Sequence, residues 1–452
     1  MDGYVFALSA SLAMRIAASL TAAIIASAGT GHASPKRPMP DYDGRGNPDS
    51  DSGSWLLWIP RVALAPVYVV HEYLIRRPLH ALVTTAERDH WADTVGDIFT
   101  FGPNRENVIY PTALFDFGLL PSIGVYYAGQ DFLTDDNTLR VHVATWGKPW
   151  ISATIADHYT IDKSNTLQAR LDFRRAEDNI YFGIGPDVTS ATRSRFGLEK
   201  AEASLSYHAK IPGRESRVWI TSGVHRLTPV DGTCCSDPSV GDRAAMGELM
   251  APPGFGQTYT AAFATMDLLL DSRAPRPAPG SGGFLRLWAQ PSVDLDGNRA
   301  WAQYGGVLGG AVDLTGHQRI VKMQLAVSML DELRGSQPIP FTEYLVFDGD
   351  MMAGFLPGWL RGQSTAAAQL AYTWPVWIGF DGQTRFTLGN AYGEHLDGLG
   401  PSKFRWSWDI GLTTNASRDQ GFELLIGLGS ETFDRGAGIT SVRATFGSRQ
   451  GF

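Results

Sequence analysis

The sequence has little charge, almost no cysteine and no long apolar run. Charged side chains make up 19% of the 452 residues, below the roughly 25% of an average protein. The formal net charge of -8 provides no basic face for nucleic acid. After the N-terminal region the most apolar run, residues 62–70, contains Pro66 and is too short for a membrane-spanning helix. A secreted soluble protein and a membrane β-barrel therefore remain as interpretations.

Motifs of common enzymes are also missing. No G-x-S-x-G, H-E-x-x-H, Walker or Rossmann pattern occurs. Cys234 and Cys235 are adjacent, without a nearby histidine or further cysteine, and either form a neighbouring disulfide or stay reduced. We therefore expect no metal, no cofactor and no enzymatic activity. A lipid-modifying enzyme stays an alternative, because serines and histidines are present but their alignment cannot be obtained from periodicity.

The N-terminal quarter, residues 1–109, is predicted to have three parts. Residues 1–33 have the basic, apolar and small-residue regions of a secretory signal peptide, which starts at Met1 or Met14. A single membrane anchor is the alternative for this segment. Residues 34–54 contain mainly Pro, Gly, Asp and Ser, which indicates a flexible linker.

Residues 55–109 are punctuated by prolines and predict short amphipathic helices over residues 66–77 and 78–88. Glu72, Arg76 and His80 recur every fourth residue and form a polar stripe on such a segment. This segment could pack on a soluble core, occupy the lumen of a barrel or lie on a membrane surface.

From Tyr110 onward the hydrophobic period is two. Residues 167–174, 203–210, 321–329 and 404–413 alternate between apolar and polar side chains, which predicts strands with one apolar and one polar face. About fifteen such segments occur, and because bacterial barrels have even strand numbers we expect sixteen antiparallel strands. The fold class is thus an all-β membrane protein, with the outer-membrane barrel at residues 110–452 and the amphipathic helical segment in its lumen.

A soluble β-sandwich would show the same alternation. The predicted signal peptide and the aromatic residues near strand ends favour the membrane barrel, because outer-membrane barrels carry aromatic girdles. The aromatic residues are Trp146, Trp150, Trp288, Trp301, Trp374, Trp377 and the final Phe452.

The segment 338–377 interrupts the strand pattern. It begins as a long loop that is too apolar to be disordered, and one charged tripeptide, Leu360-Arg361-Gly362, stands near its end. We expect this loop to pack against the rest of the fold.

Four short motifs, in order, resemble the BamA/TamA-type bacterial surface antigen barrels. Residues 174–185 resemble the turn that ends in Tyr-Phe-Gly-Ile-Gly, and Leu360, Arg361 and Gly362 resemble the tip of the lumen loop. The last strands, 421–433 and 442–452, include Phe446 and end in the aromatic Phe452. The fourth motif is the hairpin formed by Asp271, Arg273, Pro279 and Gly280.

The resemblance implies a sixteen-stranded outer-membrane barrel of the short form, without POTRA domains and plugged from within. It also implies a role in protein assembly, translocation or lipid handling. Its partners would be outer-membrane lipid and lipopolysaccharide, and unfolded outer-membrane or secreted proteins. A passive porin-like pore remains an alternative function.

The chain departs from the family where Arg361 should meet an acid. Gln363 replaces the usual aromatic, and Thr387 stands where large members place an acid. Because a charge withdrawn from water needs a partner, we predict that Asp409 or Glu394 pairs with Arg361, unless the site is filled with water.

Overall fold

The computed structural model describes residues 97–211, 216–273, 280–314, 318–335, 337–347, 351–377, 380–414 and 420–450. Sixteen strands in these ranges form the barrel. In chain order they are β1 Asn107–Asp116, β2 Ser122–Gln130, β3 Asn137–Thr145, β4 Trp150–Thr160, β5 Asn165–Tyr181, β6 Ser194–Lys210, β7 Arg217–Asp231, β8 Tyr259–Asp271, β9 Gly282–Asp294, β10 Arg299–Asp313, β11 Ile320–Gly335, β12 Ser364–Trp377, β13 Phe380–Tyr392, β14 Arg405–Thr414, β15 Gln420–Ser430 and β16 Ile439–Gln450.

Smaller elements lie in the connections. An α-helix, α1, spans Val240–Ala245, and two-residue strands lie at Thr100–Phe101, Leu345–Val346 and Arg361–Gly362. Short 3₁₀ turns occur at Ser190–Thr192, Phe341–Glu343, Glu394–Leu396, Pro401–Lys403 and Phe433–Arg435. Across the described ranges, no helix has the length and apolarity needed to cross a membrane.

Each strand pairs antiparallel with its neighbour in sequence, and β16 pairs with β1 to close the ring. The prediction of sixteen antiparallel strands is therefore confirmed. Because neighbouring strands alternate in direction, the odd-numbered strands all finish at one end of the barrel. We call this the loop end, since it carries the long connections 182–193, 232–258 and 336–363. We call the opposite end, where β1 begins, the terminal end.

The barrel is apolar outside and polar inside. On β5, Leu171 and Phe173 face outward and are exposed, whereas Gln168 is buried on the inner face. Further exposed outward side chains are Ile109, Ile123, Val125, Val143, Ile155, Ile220, Leu287, Leu308, Met323, Leu325, Phe386, Leu424 and Ile426. Further buried inward side chains are Thr154, Ser206, Ser292, Gln324, Gln369, Thr387, Ser407 and Thr445. A soluble sandwich has the reverse arrangement, with its apolar faces inside, so that alternative is excluded.

The apolar core lies at the loop end and not in the middle of the wall. Its largest cluster joins the 182–193 connection to the β11–β12 connection through Phe182, Phe355 and Trp359. A second cluster packs Ile339 against the wall residue Trp301. Trp301 is fully buried, so it is an interior anchor and not part of the expected aromatic girdle.

Several predictions lie outside the described residues. These are the signal peptide, the linker, the helices at 66–88 with Glu72, Arg76 and His80, and the positions of Pro279 and Phe452. At the end of the predicted helical segment, residues 107–109 already belong to β1. Residues 107–109 pair with β2, so the first strand begins three residues before the predicted start of the barrel at residue 110. Cys234 and Cys235 form a disulfide in the 232–258 connection.

Candidate functional site

The connection between β11 and β12 folds into the barrel. We call its described part, residues 337–347 and 351–363, the lumen loop. Its first limb is anchored by Glu343, which is buried on the inner wall. The Tyr259 hydroxyl donates to Glu343 Oε1 at 2.7 Å, and His225 Nε2 lies 3.0 Å from the same oxygen. These polar contacts satisfy an acid that is withdrawn from water.

The second limb is held by apolar packing. Met352, Phe355, Trp359 and Leu360 are all nearly or fully buried. The Trp359 ring stacks on the ring of Phe182 with 4.0 Å between centroids. Such a stacked pair contributes about 1 kcal/mol beyond the burial of its area, so the loop is fixed to the wall and does not hang freely in the lumen.

The two motifs at Tyr181–Gly185 and Leu360–Gly362 meet at this contact. The amide of Gly185 donates to the carbonyl oxygen of Arg361 at 2.8 Å. Gly358 has φ +92°, and a Cβ at this position would lie 2.5 Å from the carbonyl oxygen of Ile180. Only glycine fits such a left-handed position so close to another backbone. The two motifs, which are far apart in the sequence, thus form one contact in the fold.

Arg361 is buried, and a carbonyl group takes the place of the expected carboxylate. Its Nη1 donates to the carbonyl oxygen of Phe341 at 2.7 Å, and its guanidinium carbon lies 5.4 Å from the centroid of the Phe341 ring. Burial lowers the pKa of Arg361 to about 10, against a smaller opposing effect of Tyr181 and Tyr259. The side chain therefore stays charged at neutral pH.

The predicted acids lie elsewhere. Asp409 accepts a hydrogen bond from Arg385 Nε at 2.8 Å, because these residues are directly opposite each other on β14 and β13. Glu394 is largely exposed at the loop end, 3.8 Å from His395. Neither carboxylate is the partner of Arg361 in this structure.

The seam between β1 and β16 is the second part of the site. Among the described residues its register comprises three pairs, and the smallest other interstrand ladder of the barrel, between β14 and β15, has seven. One further hydrogen bond joins the Phe117 amide to the Ala444 carbonyl oxygen at 2.9 Å. All of these contacts lie towards the loop end of the seam. The described residues 107–113 of β1 have no partner on β16 in the register.

A buried ion pair crosses this short seam. Arg443 on β16 donates to Asp116 on β1 through Nε at 3.0 Å and Nη2 at 2.5 Å. Its Nη1 also donates to the carbonyl oxygen of Phe355 in the lumen loop at 3.3 Å. One guanidinium group therefore connects both edges of the seam with the loop. Sequence reasoning missed this group, although opposite charges in the first and last strands could have indicated it.

The seam also contains a backbone irregularity. Gly447 has φ +141°, and a Cβ there would clash with the backbone of Ala113 and Leu114. Gly447 is the last β16 residue in the register with β1, where it faces Leu114. Phe446 precedes it and pairs with Phe115. The glycine thus marks the point at which the two strands diverge.

The predicted hairpin motif lies at the terminal end, at the opposite end from these contacts. Arg273 donates to the Asp271 carboxylate through Nε at 2.9 Å and Nη2 at 2.8 Å. Its guanidinium carbon also lies 4.2 Å from the centroid of the Phe284 ring. Gly280 is the first described residue of the returning arm. This motif stabilises the hairpin between β8 and β9. Within the described ranges, no three His, Cys, Asp or Glu residues are grouped as a metal site would need.

Searches of the sequence against protein-family models and curated proteins found no match. The structure is similar to BamA from Haemophilus ducreyi lacking POTRA domains 1-3, with a TM-score of 0.54 and 11% identity over 76% of this chain and 70% of that one. The chain has the BamA-type barrel fold. Two weaker similarities are to CdiB proteins. CdiB from Acinetobacter baumannii has a TM-score of 0.46 and 9% identity, over 76% of this chain and 60% of that one. CdiB from Escherichia coli has a TM-score of 0.45 and 10% identity, over 75% of this chain and 62% of that one. This chain spans less than two thirds of either CdiB chain.

Proposed function

We propose that this BamA-type barrel resides in a bacterial outer membrane and handles protein or lipid there, by opening the seam between β1 and β16. The observation that carries the proposal is the short seam, which is joined to the lumen loop through Arg443. The apolar outer face supports the membrane location, because residues that face lipid must be apolar. Lipopolysaccharide, outer-membrane lipid and unfolded outer-membrane or secreted proteins are the proposed partners.

The proposed mechanism follows from the energetics of the seam. Separating β1 from β16 breaks few backbone hydrogen bonds, each of which contributes only about 1 kcal/mol. The unpaired edges would then be able to pair with a strand of a substrate, as exposed strand edges do. The lumen loop would hold the seam closed until a substrate displaces its contact at Phe355. Separation elsewhere in the wall would break a longer ladder.

A disulfide across the seam tests the proposal. Phe115 and Phe446 are directly opposite across the seam, and both would be replaced by cysteine. The control pair, Leu424 and Phe446, uses the same β16 position but joins it to β15. Cells depleted of the native protein would express each variant, and the protein and lipid composition of the outer membrane would be measured. We expect loss of function only for the oxidised seam pair, restored by reductant. Full function of the oxidised seam pair would contradict the proposal.

A passive pore is the second candidate. Arg174 faces the lumen and is exposed, and the Arg286 side chain is 54% exposed on the inner face of β9. Part of the lumen face is therefore accessible to water. Conductance of the purified protein in a bilayer, with and without residues 34–96, distinguishes the candidates. A large constant conductance of the intact protein would favour the pore, and conductance only after the deletion would favour a plugged barrel.

The expectation that the chain is not an enzyme stays a prediction.

A further inference from the structure

A shallow groove crosses the outer face of β4 to β7. Its sides are formed by large apolar residues and its floor by alanines, Asp172 and Glu202 also line it, and its volume is about 440 Å³. The strand register places the outward residues in two adjacent rows. One row is Ala153, Phe173, Ala201 and Arg226, and the other is Ile155, Leu171, Ala203 and Val224. Ala201 and Ala203 follow each other on the outer face of β6, so the floor of the groove lies on this strand.

Arg226 stands at the end of the groove where the apolar band stops. The next outward row towards the loop end contains Arg175 and Glu199, and these side chains are ion-paired at 3.5 Å. The rows on the other side contain Leu171 and Val224, both exposed. A phosphate headgroup lies at such a boundary between polar and apolar surface when a barrel is embedded in lipid.

The two outward arginines at this boundary differ in one respect. Arg175 is held by Glu177 at 2.9 Å and by Glu199. Arg226 is exposed, and within the described ranges it has no hydrogen bond or ion pair. A guanidinium group beside an apolar surface is stabilised by an anion with planar oxygen geometry, such as a phosphate. The charge and the shape of the surface are therefore complementary to a molecule that carries both a phosphate group and an apolar chain.

We propose that this groove binds a phosphate-bearing membrane lipid, with the phosphate on Arg226 and an acyl chain over Ala201 and Ala203. Apart from Arg226, the outward residues of the two rows are apolar, which fits a segment of an acyl chain. The proposal depends on the outer face lying in a membrane, as proposed above. It adds a lipid site on the wall, separated from the seam and the lumen loop.

Native mass spectrometry of the detergent-solubilised full chain tests this site. The probes are phosphatidylglycerol, a diacylglycerol with the same acyl chains, and inorganic phosphate as a competitor. The variants are Arg226→Gln, which removes the charge, and Ala203→Leu, which fills the groove without touching Arg226. The matched controls are Arg175→Gln, an outward arginine that already has partners, and Ala289→Leu, an exposed outward alanine on β9.

We expect Arg226→Gln to weaken phosphatidylglycerol binding about tenfold, as for the loss of one charge-assisted hydrogen bond, and to leave diacylglycerol binding unchanged. Ala203→Leu should weaken both lipids, and the two control variants should weaken neither. Equal phosphatidylglycerol binding by the native chain and Arg226→Gln would overturn the proposal. Complete displacement of the lipid by inorganic phosphate would also overturn it, because the acyl chain would then contribute nothing.

Insertion of each variant into vesicles separates this proposal from the proposed function. Native chain that inserts but retains no phosphatidylglycerol would overturn the lipid site alone. Native chain that fails to insert would overturn the membrane location and the lipid site together. Heat-modifiable gel mobility of every variant would show that each barrel is folded, so a loss of binding can be assigned to the groove.

Discussion

Removing the charge of Arg443 should open the seam. Arg443 and Asp116 are 2% and 9% exposed, so the variant Arg443→Gln leaves a buried carboxylate without its cation. Breaking a buried pair in this way costs about 3–5 kcal/mol. The backbone ladder of the seam contributes roughly 3 kcal/mol if each of its few hydrogen bonds contributes about 1 kcal/mol. One side chain therefore has as large an effect as the whole ladder.

Hydrogen exchange of the β1 amides measures this opening directly. We expect exchange of the peptide that covers residues 107–117 to rise by a factor on the order of 10² to 10³ in Arg443→Gln, since each 1.4 kcal/mol is tenfold. The double variant with Asp116→Asn should recover most of the protection, because the unpaired charge is then gone. The effect should be specific to the seam, because the other interstrand ladders are longer.

The control removes another interior ion pair. Arg385 and Asp409 join β13 to β14 at 2.8 Å, in a ladder of ten residue pairs. Arg385→Gln should leave exchange at β1 unchanged. Unchanged exchange at β1 in Arg443→Gln, or an equal rise in Arg385→Gln, would refute the reasoning that this pair controls the seam.

Three further predictions concern the lumen loop. Trp359→Ala removes the stacking on Phe182 and should lower the free energy of unfolding by about 3–5 kcal/mol, seen in thermal denaturation; a smaller loss than for an exposed tryptophan would argue against the packing. Gly358→Ala forces a Cβ towards the Ile180 carbonyl, so we expect about 1–3 kcal/mol of strain and faster proteolysis of the loop. Arg361→Ala removes the bond to the Phe341 carbonyl and should raise bilayer conductance; unchanged folding, heat-modifiability and conductance would mean that this arginine has no role here.

The strand pattern carried most of the fold because alternation is a local property. Each residue of a strand faces the opposite side from its neighbour, so Leu171 and Asp172 could be assigned to different faces from the sequence alone. The number of strands followed from counting such segments. About fifteen were found, and sixteen were expected because bacterial barrels have an even number of strands. The inward direction of the lumen loop was indicated by its apolar composition and by its resemblance to known barrels.

The partners of the charged groups could not be obtained in the same way. Arg361 was expected to meet Asp409 or Glu394, but Asp409 is directly opposite Arg385. Which residues are opposite each other depends on interstrand register, and a shift of two residues leaves the alternation unchanged. The sequence pattern therefore cannot distinguish one register from another.

The sequence by itself thus determined an antiparallel barrel with a polar inner face and an apolar outer face, because both follow from periodicity along single strands. Only the tertiary structure decided where the barrel closes, how few pairs close it and that Arg443 connects the seam to the lumen loop. Asp116 and Arg443 are 327 residues apart in the chain. They meet because sixteen strands complete one turn of the barrel, and no local pattern in the sequence records that closure.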